Sequence, residues 1–225
     1  FTGTSKALAF LGDSLMDGSN DLANYIGGNG YGPRAVVPTG LTGIVAHMKL
    51  TRVGARASDL SQNTKMLAWL KYFNILYLEP GTNDLANVNG GNATAAATIS
   101  SLQSLMTSAR SAGVNKIIGC LLIPRLIPGA SGTTDSYATE AGQTSDANFG
   151  VGTRGETVNN QWLAWLADGT VAALDRRDKT RGTDPWKWVV NGSANYGTGD
   201  GTHYTTAIAQ LMATDTRAAI DSVTL

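Results

Sequence analysis

Runs of apolar residues of strand length, each followed by a helix-length amphipathic segment, constrain this chain more than any other feature. Ala7 to Leu11 is apolar at every position and ends in Gly12. Similar runs occur at Phe73 to Leu78, Val114 to Ile123 and Val171 to Leu174, with a weaker one at Met48 to Val53. A strand without polar alternation is covered on both faces, which only a sheet sandwiched between helices provides. Helical periodicity fills the intervals. Asp59 can cap a segment whose Leu60, Met66, Leu67, Leu70 and Phe73 share a face, and Asn92 to Ala112 places Ile99, Leu102, Leu105 and Met106 at helical spacing. Thr157 to Leu166 and Tyr204 to Ile220 follow the same logic. Alternation of this kind implies parallel pairing through right-handed crossovers. The expected fold class is α/β: a three-layer α/β/α sandwich around a mostly parallel five-stranded sheet. At 225 residues, with no linker, one domain over 1–225 is expected.

In such sheets the functional loops gather at the carboxyl ends of the strands. Three short islands stand where chemistry would collect: Gly12-Asp13-Ser14-Leu15, Gly81-Thr82-Asn83-Asp84 and Asp200-Gly201-Thr202-His203, with a weaker one at Val53-Gly54-Ala55. Ser14, Gly54 and Asn83 each follow a proposed strand, and His203 can reach the same edge from the start of the last helix. A serine hydroxyl needs a base to become a nucleophile. The chain has two histidines, and His47, just before the second strand and away from any partner signature, reads as structural. Asp200 and His203, three residues apart on one turn, can meet, leaving Nε2 free to face Ser14. The oxyanion of acyl transfer needs prearranged donors. The Ser14 N–H, a closely approaching Gly54 backbone and the neutral Asn83 amide can supply them. Asp13 and Asp84 read as turn and cap residues, and Glu79 as structural.

The order and spacing of these islands resemble the SGNH (GDSL-type) hydrolases, a family of serine esterases and lipases named for Ser, Gly, Asn and His. The resemblance spans nearly the whole chain. It implies a flavodoxin-like SGNH fold, with Ser14 as nucleophile, His203 as base and Asp200 as the orienting acid. Gly54 and Asn83 become oxyanion donors beside the Ser14 N–H. Two islands depart from the family pattern. The usual Asn-x-Gly-x-x-Gly is here Arg52-Val53-Gly54-Ala55-Arg56-Ala57, and around His203 Thr202 replaces an apolar residue and Tyr204 a frequent proline.

Composition narrows the alternatives. Seventeen basic residues against seventeen acidic ones give no net charge, which argues against a nucleic-acid partner and against a polybasic membrane surface. The basic run Arg176 to Arg181, interrupted by Asp178, reads as a solvated loop. No apolar stretch approaches the roughly 20 residues of a membrane span. Two distant histidines and one cysteine, Cys120, give no metal-ligand cluster, and no phosphate loop or dinucleotide fingerprint is present, so neither metal nor cofactor is expected. Cys120, Trp162 and Trp165 read as core. Low charge with abundant Gly, Thr, Ser and Asn suits an exported or surface-displayed protein. The start at Phe1 is expected to reflect a removed leader or a larger parent.

Pro124 to Gly152 fits no regular element and leaves the fourth strand beside the proposed site, either as a substrate-shaping insertion at 124–152 or as a surface excursion. Trp186, Trp188 and Tyr196 crowd the loop leading to Asp200, where they either bind substrate, stacking on a sugar or lining an acyl pocket, or anchor the loop. The expected activity is hydrolysis of a carboxylic ester through an acyl-enzyme. The substrate is either a small acyl ester or the O-acetyl groups of a polysaccharide. An acyltransferase with the same triad and a non-catalytic carbohydrate-binding or structural module are the alternatives. Oligomeric state is not legible.

Overall fold

A computed structural model describes residues 5–21, 29–37, 45–86 and 91–225. Strands β1 (Ala7–Gly12), β2 (Ala46–Thr51), β3 (Ile75–Leu78), β4 (Lys116–Cys120) and β5 (Ala173–Asp175) form one parallel sheet in the order β2-β1-β3-β4-β5. The helices are α1 (Ser14–Asp17), α2 (Tyr31–Val36), α3 (Ala57–Ser61), α4 (Thr64–Leu67), α5 (Thr82–Leu85), α6 (Ala95–Ser111), α7 (Arg154–Ala167) and α8 (Thr206–Ser222). Register is set by Leu8 opposite Ile75 and Ala7 opposite Ala46, which brings β1, β2 and β3 to the same edge. Side chains alternate between two cores. Ala9, Leu11, Leu76, Leu78 and Ile117 pack with α3, α6 and α7, while Leu8, Phe10, Ile75, Tyr77 and Ile118 pack with α2 and α8. This is the three-layer sandwich the alternation predicts.

The local causes are readable. The α6 helix starts where Thr94 accepts the Ala97 N–H, buries Leu102, Leu105, Met106 and Ala109 along one stripe, and stops before Gly113 at φ +96°. Each buried leucine of that stripe contributes about 1.5–3 kcal/mol. At the sheet margin β2 exposes alternate positions, including Met48, which is why its apolar run is the weakest of the five. His47 lies within β2, not before it, bonded through Nδ1 to the Val45 carbonyl and edge-on to Phe10.

A further expectation changes. The single helix predicted after Asp59 is three short pieces: α3, α4 and a 3₁₀ turn at Leu70–Tyr72. The Asn63 side chain accepts the Met66 N–H and starts a new helix there, so Met66 and Leu67 end up only partly buried. Asp59 is not the cap but the third residue of α3, its carboxylate accepting the Arg56 N–H. The 124–152 segment carries bridges of its own. Antiparallel bridges join Leu126 to Ser145 and Thr133 to Gln143, and Phe149 is fully buried. Among the described residues, no helix is long and apolar enough to cross a membrane.

Candidate active site

The turn out of β1 is tight. A Cβ on Gly12 would lie 2.5 Å from Glu79 Oε2 and 2.6 Å from the Met16 Cβ, so only glycine fits. Asp13 caps α1 by accepting the Leu15 N–H at 2.9 Å, which makes Ser14 the first residue of that helix. Ser14 Oγ lies 2.9 Å from His203 Nε2, and His203 Nδ1 lies 2.8 Å from Asp200 Oδ2. Asp200 and His203 sit on a loop ahead of α8, not on the helix itself. Asp200 Oδ1 accepts the backbone N–H of both Thr202 and His203, so one carboxylate shapes the turn and holds the ring. Partial burial opposes the charge on Asp200, but hydrogen bonds from the His203 ring and from these two N–H groups hold it well below the usual carboxylate range. Asn20 adds a further donor to Asp200 Oδ2 at 3.2 Å, a contact that nothing in its sequence surroundings signals. Tyr204, where the family often has proline, donates its hydroxyl to the Leu15 carbonyl and so ties the His203 loop to α1.

Gly54 occupies a turn closed by the Ala55 N–H on the Arg52 carbonyl, at φ +73°, a conformation that disfavours any side chain. Neither the Ser14 nor the Gly54 N–H has an acceptor among the described residues. The Asn83 amide is differently placed: Nδ2 donates to Asp13 Oδ2 at 3.0 Å and to the Ala55 carbonyl at 3.1 Å, so both its hydrogens are engaged. Asp84 caps α3 across the chain, accepting the Ala57 N–H at 2.7 Å and the Ser58 N–H at 3.3 Å. Gly54 and Asn83 are thereby tied together through the segment that follows Gly54.

These residues meet at one cleft of about 330 Å³, lined by Ser14, Gly54, Asn83 and His203. Val53, Arg125, Pro128 and Thr202 complete its walls. The aromatic trio is not among them. Trp188 is fully buried with its indole N–H on the Gly201 carbonyl, Trp186 packs edge-on to Phe149, and Tyr196 packs, partly buried, against the core on the α2 and α8 side of the sheet. The two tryptophan rings are buried and anchor the loop, while Tyr196 is partly buried and lies outside the cleft. Arg125 went unsignalled for a plain reason, being one charge between Pro124 and Leu126 in an apolar stretch.

The basic run at Arg176 to Arg181 is solvated only in part: Arg176, Asp178 and Lys179 are exposed, while Arg177 and Arg181 turn inward. Arg177 is buried, 3.4 Å from Glu79 Oε1, with its guanidinium over the Tyr31 ring and bonded to the Tyr31 hydroxyl. Arg181 donates to the Leu122 carbonyl at 2.6 Å. Glu79 in turn accepts the Asp13 N–H at 3.2 Å, so this buried pair supports the turn carrying Ser14. Burial raises the carboxyls of Asp13 and Glu79 above their ordinary range, with Arg177 opposing the shift in both. Among the described residues, no group of three or more His, Cys, Asp or Glu could hold a metal ion.

The fold and the family converge. The chain is similar in structure to a carbohydrate esterase family 3 protein from Talaromyces cellulolyticus, at 20% identity and TM-score 0.61, covering 96% of each chain. It is similar to an acetylxylan esterase from Geobacillus stearothermophilus at 14% identity and TM-score 0.60, over 97% of this chain and 95% of that one. A GDSL-like lipase from Bacteroides thetaiotaomicron matches at 14% identity and TM-score 0.60, over 96% and 88%. At these identities the likeness is one of fold. No curated protein matches the sequence. The model of the GDSL-like lipase/acylhydrolase family matches residues 8–215, and the chain belongs to that family of serine hydrolases.

Proposed function

We propose that the protein hydrolyses short acyl esters, O-acetyl groups on a carbohydrate foremost, through a Ser14-His203-Asp200 triad. The unbroken line from Asp200 Oδ2 to His203 Nδ1 and from Nε2 to Ser14 Oγ, at 2.8 and 2.9 Å, carries this reading. Ser14 Oγ attacks the ester carbonyl as His203 Nε2 takes its proton, and Asp200 stabilises the imidazolium that forms. The oxyanion is met by the N–H groups of Ser14 and Gly54, which have no acceptor among the described residues. Asn83 joins them when its amide gives up or shares one of its two present acceptors. His203 then protonates the departing alcohol, and a water activated by the same nitrogen releases the acid from Ser14.

The preference for a small acyl group is supported by the cleft, about 330 Å³ and walled by Val53 and Pro128. The carbohydrate side is supported by the acetylxylan esterase and carbohydrate esterase among the similar folds, and no longer by the buried tryptophans. A hydrolysis panel tests the reading: aryl acetate to decanoate, with acetylated xylan, pectin and a bacterial polysaccharide. Acetate release that disappears in Ser14→Ala, by about 10⁴-fold or more, is expected. Preference for decanoate would exclude the deacetylase, and turnover surviving Ser14→Ala would exclude the nucleophile.

A further inference from the structure

We infer that Arg125 binds the alcohol side of the substrate, and that it recognises neutral, adjacent oxygen atoms of a sugar-like polyol, not an anion. The inference rests on the esterase reading above. Arg125 follows β4 and its side chain is only 4% exposed, yet it lines the cleft shared by Ser14, Asn83 and His203. Its one partner among the described side chains is Asp146, an ion pair with Nε 3.5 Å from Oδ2, and at that distance the buried Nε has no well-formed hydrogen bond. A guanidinium carries five N–H donors, and buried donors are rarely left unused. The other buried arginines show how this fold satisfies one. Arg34 grips Asp21 with two bonds of 2.8 Å, and Arg177, though its Nε is also without a partner, donates through its terminal nitrogens to Glu79 and Tyr31.

Position assigns the side of the ester. The sheet order β2-β1-β3-β4 puts Gly54, after β2, and Arg125, after β4, on opposite flanks of Ser14. The Leu126 N–H donates to the Gly201 carbonyl at 2.8 Å, joining the segment that carries Arg125 to the turn that carries Thr202 and His203. His203 must hand its proton to the departing alcohol, so groups beside it face that alcohol. Charge assigns the kind of ligand. Asp146 balances Arg125, and the other charges acting on it, Asp13 and Asp200, are acidic. The cleft therefore offers a substrate anion no surplus positive charge. What it offers are donors in a planar fork, beside a Thr202 hydroxyl that has no hydrogen-bond partner among the described residues. Adjacent hydroxyl or ring oxygens match that pattern.

The test compares kcat/KM for an acetylated methyl xyloside, an acetylated methyl glucuronoside and 4-nitrophenyl acetate. The proteins are the wild type, Arg125→Lys, and Arg125→Met combined with Asp146→Asn so that no unpaired carboxylate remains. The lysine variant keeps the charge beside Asp146 and loses the fork. In both variants the ratio of xyloside ester to aryl ester should fall by about ten- to a hundredfold, mostly through KM, the scale of hydrogen bonds from a charged donor. An unchanged ratio would overturn the proposal and leave Arg125 as packing. A fall confined to the glucuronoside would overturn its neutrality and point to a carboxylate. Failure of the wild type to turn over any of the three with Ser14 dependence is a separate result, visible before the variants are made, and would overturn the esterase reading together with this one.

Discussion

Asn83 Nδ2 donates to Asp13 Oδ2 across 3.0 Å, so the amide of one sequence island is held by the carboxylate of another. Asp13 thus does two things with its two oxygens, capping α1 with Oδ1 and orienting Asn83 with Oδ2. If the amide serves the oxyanion, Asn83→Ala should cost about 10²–10³ in kcat with much less change in KM. Asp13→Asn keeps one oxygen for the cap but turns an N–H toward the Asn83 amide, so a smaller loss, again in kcat, is expected. Steady-state kinetics on an aryl acetate decides. Damage confined to KM in Asn83→Ala would make the residue a substrate-positioning one.

Tyr204→Phe removes the bond from the His203 loop to the Leu15 carbonyl and leaves a buried acceptor unpaired. The cost to stability should be about 1–3 kcal/mol. Because Leu15 adjoins Ser14 and Tyr204 adjoins His203, kcat should fall with KM nearly constant. A raised KM at full kcat would show that the hydroxyl does not set the spacing of the two loops.

Sheet and helices were legible because strands covered on both faces carry no alternation to obscure them, as Ala7 to Leu11 illustrates. The islands were legible because parallel strands deliver their loops to one edge. What failed was direction and distance. Trp186 and Trp188 lie near Asp200 in sequence, but chain proximity does not say which way a ring points, and both point into the core. Arg177 reads as one charge of a solvated run because its partner Glu79 is 98 residues away. Asn63 breaks a helical pattern that Leu60 and Leu70 alone would sustain, since a cap made by one side chain leaves the apolar period intact.

Arg177→Met should be among the most damaging substitutions away from the cleft. It strands Glu79 in a buried site, and breaking a buried ion pair costs about 3–5 kcal/mol. The pH dependence has a definite sign. Burial already raises Glu79, and Arg177 is the main group opposing that shift, so its loss should raise the carboxyl further. A carboxyl raised in the folded state contributes stability below its unfolded value of ~4.3 and loses it as pH rises through the folded value. The gap in Tm between wild type and variant should therefore narrow as pH falls from 8 toward 5. A gap that widened on acidification would mean that Glu79 is not the group left behind.

The remaining prediction separates the acid from the base. In Asp200→Asn one oxygen can still accept the Thr202 and His203 N–H groups, so the turn should survive. The new amide, however, faces His203 Nδ1 as a donor and favours the tautomer whose Nε2 already carries hydrogen, which cannot take the Ser14 proton. The expected loss in kcat is about 10⁴-fold, against about 10⁶ for His203→Ala, the ranking seen when triad members are removed singly. Asp200 also has a signature in stability. Its folded-state pKa is depressed, so its contribution is present above the unfolded value of ~3.9 and is lost as pH falls below it. At 44% side-chain exposure that contribution is screened, and it should appear only as a modest extra acid lability of wild type relative to Asp200→Asn. Should Asp200→Asn prove the more impaired of the two in kcat, His203 could not be the residue that carries the proton, and the roles of the pair would have to be exchanged for a mechanism in which Asp200 itself faces the substrate.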